Sequence, residues 1–155
     1  MFTIIKPPHI VPPSDQFTVF LAGSIEMGVA EPWQVRLEEM LRDLDVLILN
    51  PRREEWDNSW EQKRENDEFR GQVEWEMNGM DRADLIVLFL DPNTKSPISL
   101  LELGLHATSG TLMVCCEEGF WRKGNVEIVC ARYNIPFYQN RDEFMSAIRD
   151  RIMSH

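Results

Sequence analysis

The run Asp84-Leu-Ile-Val-Leu-Phe-Leu90, the turn Asp91-Pro-Asn-Thr-Lys-Ser-Pro97 and the segment Ile98-Ser-Leu-Leu-Glu-Leu-Gly-Leu105 decide how this sequence is read. The first is a short apolar run without alternation, the pattern of a strand covered on both faces in a parallel sheet. The third follows a proline and reads as a helix. Glu102 is its odd residue out, with Ile98 and Ser99 one turn before and Leu105 and His106 one turn after. A carboxylate so placed loses hydration and needs a partner or a job. The plainer reading, a Glu pointing out of the helix's first turns where the macrodipole favours negative charge, stays open on spacing alone.

Working outward, the same alternation recurs. Phe17-Thr-Val-Phe-Leu-Ala22 reads as a buried parallel strand ending in a Gly23-Ser24 turn, and Pro32 opens a helix carrying Trp33, Val35, Leu37, Met40, Leu41 and Leu44 at roughly helical spacing. Asp45-Val-Leu-Ile-Leu-Asn50 is a second strand, stopped by Pro51. The charged stretch from Arg52 to Asn66 is expected over the surface, where Trp56 and Trp60 either line a pocket or anchor the loop. Residues 67–82 form a helix with Phe69, Val73, Met77 and Met80 on an apolar stripe, and Glu76 lies on that stripe as a second semi-buried carboxylate. After Glu102 come a strand at Thr111-Leu-Met-Val-Cys-Cys116 and a loop at Gly119-Phe120-Trp121. A short helix over 125–133, a short strand over 135–138 and a closing helix over 141–153 follow. Residues 1–16, with four prolines, are expected as an extended lead-in.

This order implies one α/β domain over 1–155, a doubly wound, Rossmann-like sandwich on a parallel sheet of about five strands. Ligands bind such sheets at the carboxyl ends of the strands. Three features gather there: the Gly23-Ser24 turn, the loop after Asn50, and the segment from Asp91 to Glu102.

Composition excludes several function classes. With 26 acidic and 16 basic residues the net charge is -10, so a nucleic-acid backbone meets repulsion. No apolar run approaches the ~18 residues of a membrane span, and no secretory leader is expected, which points to the cytoplasm. Cys115, Cys116 and Cys130 are an odd set without C-x-x-C spacing, against a disulfide framework or a zinc site. Asp91, Asn93 and Glu102 fall at positions 1, 3 and 12 of a calcium loop, but Ser96 stands where Gly is needed and a strand precedes it, so no metal is expected. Serine-hydrolase chemistry lacks a G-x-S-x-G segment, and His106 has no evident triad partners.

Five motifs in order carry a family resemblance: Phe20-Leu-Ala-Gly-Ser-Ile25, Asn50-Pro-Arg-Arg53, Glu74-Trp-Glu76 with Ala83-Asp84, Ser96-Pro97 with Glu102-Leu-Gly104, and Gly119-Phe-Trp-Arg-Lys-Gly-Asn-Val126. Together they resemble the nucleoside 2-deoxyribosyltransferase family over roughly residues 17–135. The resemblance implies a flavodoxin-like fold and cofactor-free transfer of 2-deoxyribose between nucleobases, as in nucleoside salvage. Its nucleophile matches Glu102. The carboxylate that handles the base's proton matches Glu76, where many relatives carry Asp. Relatives also place a sugar-binding Asp where this chain has Pro97, which leaves the role to Ser96, Ser99 or Asp91. The matched motifs add Phe20, Gly23, Ser24 and Arg52 to the substrate-binding set, and Trp56, Trp75 or Phe20 would sandwich the base. The family assembles into homo-oligomers, and a segment matching Asn125 and Glu127 is lent across subunits to the sugar 5′-hydroxyl. The expected partners are thus deoxynucleosides, free nucleobases and further copies of this chain.

The chemistry suits these residues. Cleaving an N-glycosidic bond builds positive charge at C1′, which one carboxylate can stabilise and trap while a second carboxyl protonates the departing base. Two rivals stay open: N-glycoside hydrolysis on the same fold, and a non-catalytic nucleoside or nucleotide sensor. Related hydrolases carry an Arg after the Gly-Ser-Ile turn to hold a 5′-phosphate, where this chain has Glu26, an acid that favours free nucleosides. Phe120 and Trp121 read as exposed interface aromatics or, alternatively, as residues tucked into their own core.

Overall fold

A computed structural model describes residues 1–24, 32–53 and 60–155. Its elements are β1 (Phe2–Ile5), β2 (Thr18–Gly23), α1 (Trp33–Leu41), β3 (Val46–Leu49), α2 (Asp67–Arg82) and β4 (Leu85–Leu90). α3 (Pro97–His106), β5 (Leu112–Cys116), α4 (Lys123–Arg132), β6 (Phe137–Tyr138) and α5 (Arg141–Met153) complete the chain. All strand pairs are parallel, in the order β1-β3-β2-β4-β5-β6. Without β1 this is the flavodoxin-like order, whose switch point here falls between β2 and β4.

The sheet has six strands where about five were expected, because Phe2–Ile5 pairs in register with β3 at the edge. An edge strand is only half covered, so it lacks the long apolar run that marks the interior strands, and the prolines that follow obscured it. Interior strands β3, β4 and β5 are buried at every position. Apolar side chains of α1 and α5 cover one face of the sheet, and those of α2, α3 and α4 cover the other.

Two glycines set the distances at the switch point. Gly23 has φ +125, and a Cβ there would stand 2.2 Å from the Phe89 carbonyl oxygen, so only glycine lets β2 end against β4. A Cβ on Gly79 would stand 2.9 Å from the Phe20 ring, so α2 lies directly on β2. Asp84, in one of the five motifs, accepts the Thr18 backbone N–H at 2.8 Å, and its own N–H bonds Thr18 O, clamping the start of β2 to β4.

Candidate active site

α3 is turned so that its acid faces inward. Ser99, Glu102 and Leu103 are its buried residues, with Glu102 at 8% exposure, while Ile98, Leu101 and Leu105 are each more than half exposed. The reading of Glu102 as an outward surface acid is therefore overturned. α2 presents Gln72, Gly79 and Met80 inward, with Glu76 and Trp75 half-buried beside them, and Met77 is exposed. The inward face is thus rotated from the expected stripe, and Glu76 remains on its inner side.

Glu102 feels the charge of Glu76. Burial raises Glu102 to about 8, with the charge of Glu76 adding to the shift. Burial raises Glu76 to about 7, opposed by a hydrogen bond from Gln72 Nε2 to Glu76 Oε1 at 3.3 Å. Two carboxyls raised to about 7 and about 8 hold roughly one proton between them at a pH between those values. Glu102 stands the higher of the two, so the shared proton rests mainly on it. The form with Glu102 ionised as nucleophile and Glu76 protonated as acid is the minor one of the two singly protonated states. The thiols offer no competing nucleophile, since burial pushes Cys115 and Cys116 up to about 12 and Cys130 to about 11.

A ring of hydroxyls frames the entrance to α3. Ser24 Oγ lies 2.9 Å from Thr94 Oγ1 and 2.7 Å from Ser96 Oγ, and Thr94 and Ser96 close the triangle at 2.7 Å. The Asp91 N–H donates to Ser24 Oγ at 2.8 Å, and Thr94 Oγ1 donates to Asp91 O. Ser96, left-handed at φ 47, is held by these bonds at the head of the helix. Ser24 and Ser96 thus meet as expected, but their hydroxyls are bonded to each other and to Thr94, which the sequence reading missed. Asp91 and Ser99 are also buried nearby in the chain, on the turn and on the first turn of α3.

Other expected site residues fall in different places. Phe20 is wholly inside, beneath α2 and 6.1 Å from Trp75 ring to ring, so it supports Trp75 from below. Gly23 ends β2. Arg52 follows Asn50, whose Oδ1 accepts the Arg52 N–H while its Nδ2 donates to Glu38 Oε1 at 2.7 Å. Glu38 is a buried acid that the sequence reading passed over, its clue being its place between Leu37 and Leu41. Trp56 and Glu26 lie outside the described residues. Asn125 and Glu127 are exposed on α4, with Glu127 paired with Lys123 at 3.5 Å. Phe120 is buried, which corrects its reading as an exposed aromatic. Trp121 is half exposed and donates to Lys95 O at 2.8 Å, tying the Gly119 loop to the turn before α3.

A buried acid pair at the switch point of a flavodoxin-like sheet defines a class of site, and comparison with known families supplies the name of the class. The chain belongs to the nucleoside 2-deoxyribosyltransferase-like family, whose model matches residues 16–120, from the residues before β2 through Phe120. No curated protein matches the chain. Among the described residues no cluster of His, Cys, Asp or Glu could hold a metal ion, and no helix is long and apolar enough to cross a membrane.

Proposed function

We propose that this protein transfers 2-deoxyribose between nucleobases through a covalent glycosyl-Glu102 intermediate. The observation that carries the reading is the pair itself: two carboxyls on helices that cover the same face of the sheet, both raised toward neutrality by burial, with the charge of Glu76 felt at Glu102. A fold needs no such pair for stability, since buried unpaired acids destabilise it. This is also what disfavours the sensor reading.

In the proposed cycle a Glu102 carboxylate oxygen bonds C1′ as the bond from C1′ to the base nitrogen breaks. The proton on Glu76 goes to the departing base. A second base then attacks C1′, Glu102 leaves as carboxylate, and the incoming base's N–H proton returns to Glu76. Of the candidates for the missing sugar-binding Asp, Ser99 stands one helical turn before Glu102 on the same inward face, which favours it over Ser96, whose hydroxyl bonds Ser24 and Thr94. Asn125 and Glu127 would act across a subunit boundary in a homo-oligomer. The outward row Ile98, Leu101 and Leu105 on the helix that bears Glu102 supports such assembly, because an apolar row on a free surface is unfavourable.

Incubation of the purified protein with a deoxynucleoside and a second free base tests the reading. A new deoxynucleoside is the expected product. Free deoxyribose at the same rate with or without the second base would assign the site to hydrolysis, and no consumption of any deoxynucleoside would remove the enzyme reading altogether.

A further inference from the structure

The segment after β1 crosses over α2 and is tied to it by side chains of the helix. Trp75 Nε1 donates to His9 O at 2.9 Å, and Arg82 donates to Val11 O at 3.1 Å and to Pro12 O. Beneath this strap run two adjoining cavities of about 520 and 360 Å³, which share Pro7, Pro8 and Arg53. The smaller is also lined by Gln72 and Trp75.

Two buried polar atoms on that lining have no partner among the described residues: the donor Arg53 Nε and the acceptor Gln72 Oε1. The amide of Gln72 has only one sensible orientation. Its Nε2 donates to Pro51 O at 3.0 Å and to Glu76 Oε1, and a flipped amide would set its oxygen against the Pro51 carbonyl, which can only accept. The orphaned oxygen is therefore a fixed feature of a side chain only 6% exposed. The Arg53 guanidinium is likewise steadied, 4.7 Å over the Trp60 ring. Buried groups left without hydrogen bonds are rare and costly, and an orphaned donor and acceptor lining one cavity are what a ligand edge with the opposite pattern would satisfy. The other walls of the smaller cavity are the two pyrrolidine rings, an indole and Gly71, with the acids Asp67 and Glu68 also on the lining. The rings suit a flat heterocycle, and the acids favour one without negative charge.

We propose that the groove under the strap is the base-reading subsite: Arg53 Nε donates to a carbonyl or ring nitrogen of the nucleobase, and Gln72 Oε1 accepts from the N–H beside it. This rests on the proposed transfer between bases and adds to it the pair that selects among them. Because the same Gln72 amide also bonds Glu76, reading the base edge and holding the proton-handling acid fall to one side chain. Gln72 is then a binding residue toward the base and a positioning residue toward Glu76.

Equilibrium binding separates these roles, because it requires no turnover. Calorimetry with free bases would compare hypoxanthine with purine, and uracil with 3-methyluracil, on wild type, Gln72→Met and Arg53→Met. Wild type is expected to prefer the base that keeps the N–H and carbonyl edge by about tenfold or more, and each variant to lose most of that preference. A residue that only held Glu76 would change turnover with all bases alike and leave the binding ratio untouched. Unchanged ratios in both variants would overturn this inference while leaving the transfer reading intact. Absence of binding by any base would overturn both. Should Gln72→Met fail to fold, Arg53→Met and the wild-type ratio decide the matter alone.

Discussion

Leu101 and Glu102 are neighbours in the chain and opposites in exposure: the leucine is 58% exposed and the acid 8%. An isolated amphipathic helix would turn the other way; here the acid lies inside and an apolar row, Ile98, Leu101 and Leu105, outside. The hydration that Glu102 gives up is what raises its pKa.

Replacing Glu102 by Ala is expected to abolish transfer while the circular dichroism spectrum stays that of wild type. Near-normal turnover in the variant would exclude Glu102 as the nucleophile. Glu102→Gln carries a stability signature as well. The folded-state value of about 8 lies above the ordinary value of 4.5, so the folded chain binds more protons than the unfolded one between them. The wild type therefore loses stability as pH rises through that window, and the variant does not. Melting temperatures should coincide near pH 4 and separate in favour of Glu102→Gln by pH 9.

Glu76→Gln keeps the shape of the side chain and removes its proton chemistry. Turnover should fall by about 10²-fold or more, the scale for losing a general acid or base. A fall of less than about threefold would make Glu76 structural.

The pH profile of kcat/KM should be a bell with limbs near 7 and 8, the values to which burial raises Glu76 and Glu102. Below the lower limb both carboxyls are protonated and no nucleophile remains. Above the upper limb neither is, and the base departs without a proton. A flat profile from pH 5 to 9 would show that no titrating pair governs the reaction.

Assembly is predicted through the outer face of α3. Sedimentation should find wild type larger than a monomer and Leu101→Glu shifted toward monomer with reduced activity. Asn125→Ala should raise KM without changing mass. A wild-type monomer with full activity would rule out a shared site, and an unaltered KM would take Asn125 out of the pocket.

Gly23→Ala should fail to fold or melt far below wild type, because its Cβ would meet the Phe89 carbonyl oxygen at 2.2 Å and its φ of +125 disfavours any side chain. A variant as stable as wild type would mean that β2 and β4 separate there without cost.

The strands around the switch point were legible because burial on both faces leaves little but apolar residues, as in Leu85–Leu90 and Val46–Leu49. Phe2–Ile5 was not, since half-coverage at an edge leaves no such mark. The orientation of α2 was misread because two of its inward residues are not apolar: Gly79 is there for the approach of Phe20, and Gln72 for its bond to the Pro51 carbonyl. Apolar periodicity cannot register either purpose. The acids themselves were visible as charges in apolar surroundings, but Thr94, Arg53 and Gln72 gain meaning only from contacts across the fold, such as the 70-residue separation between Ser24 and Thr94.

The hydroxyl ring at the head of α3 has an arithmetic of its own. Ser24, Thr94 and Ser96 make three contacts with one another, and Thr94 donates a fourth bond to Asp91 O, so at least four contacts draw on three hydroxyl hydrogens. The oxygens are consequently locked while the hydrogens keep a choice of arrangement. Rotation of an O–H, with no displacement of a heavy atom, can reorient the local dipoles at the start of the helix that carries Glu102 while the loop stays where it is.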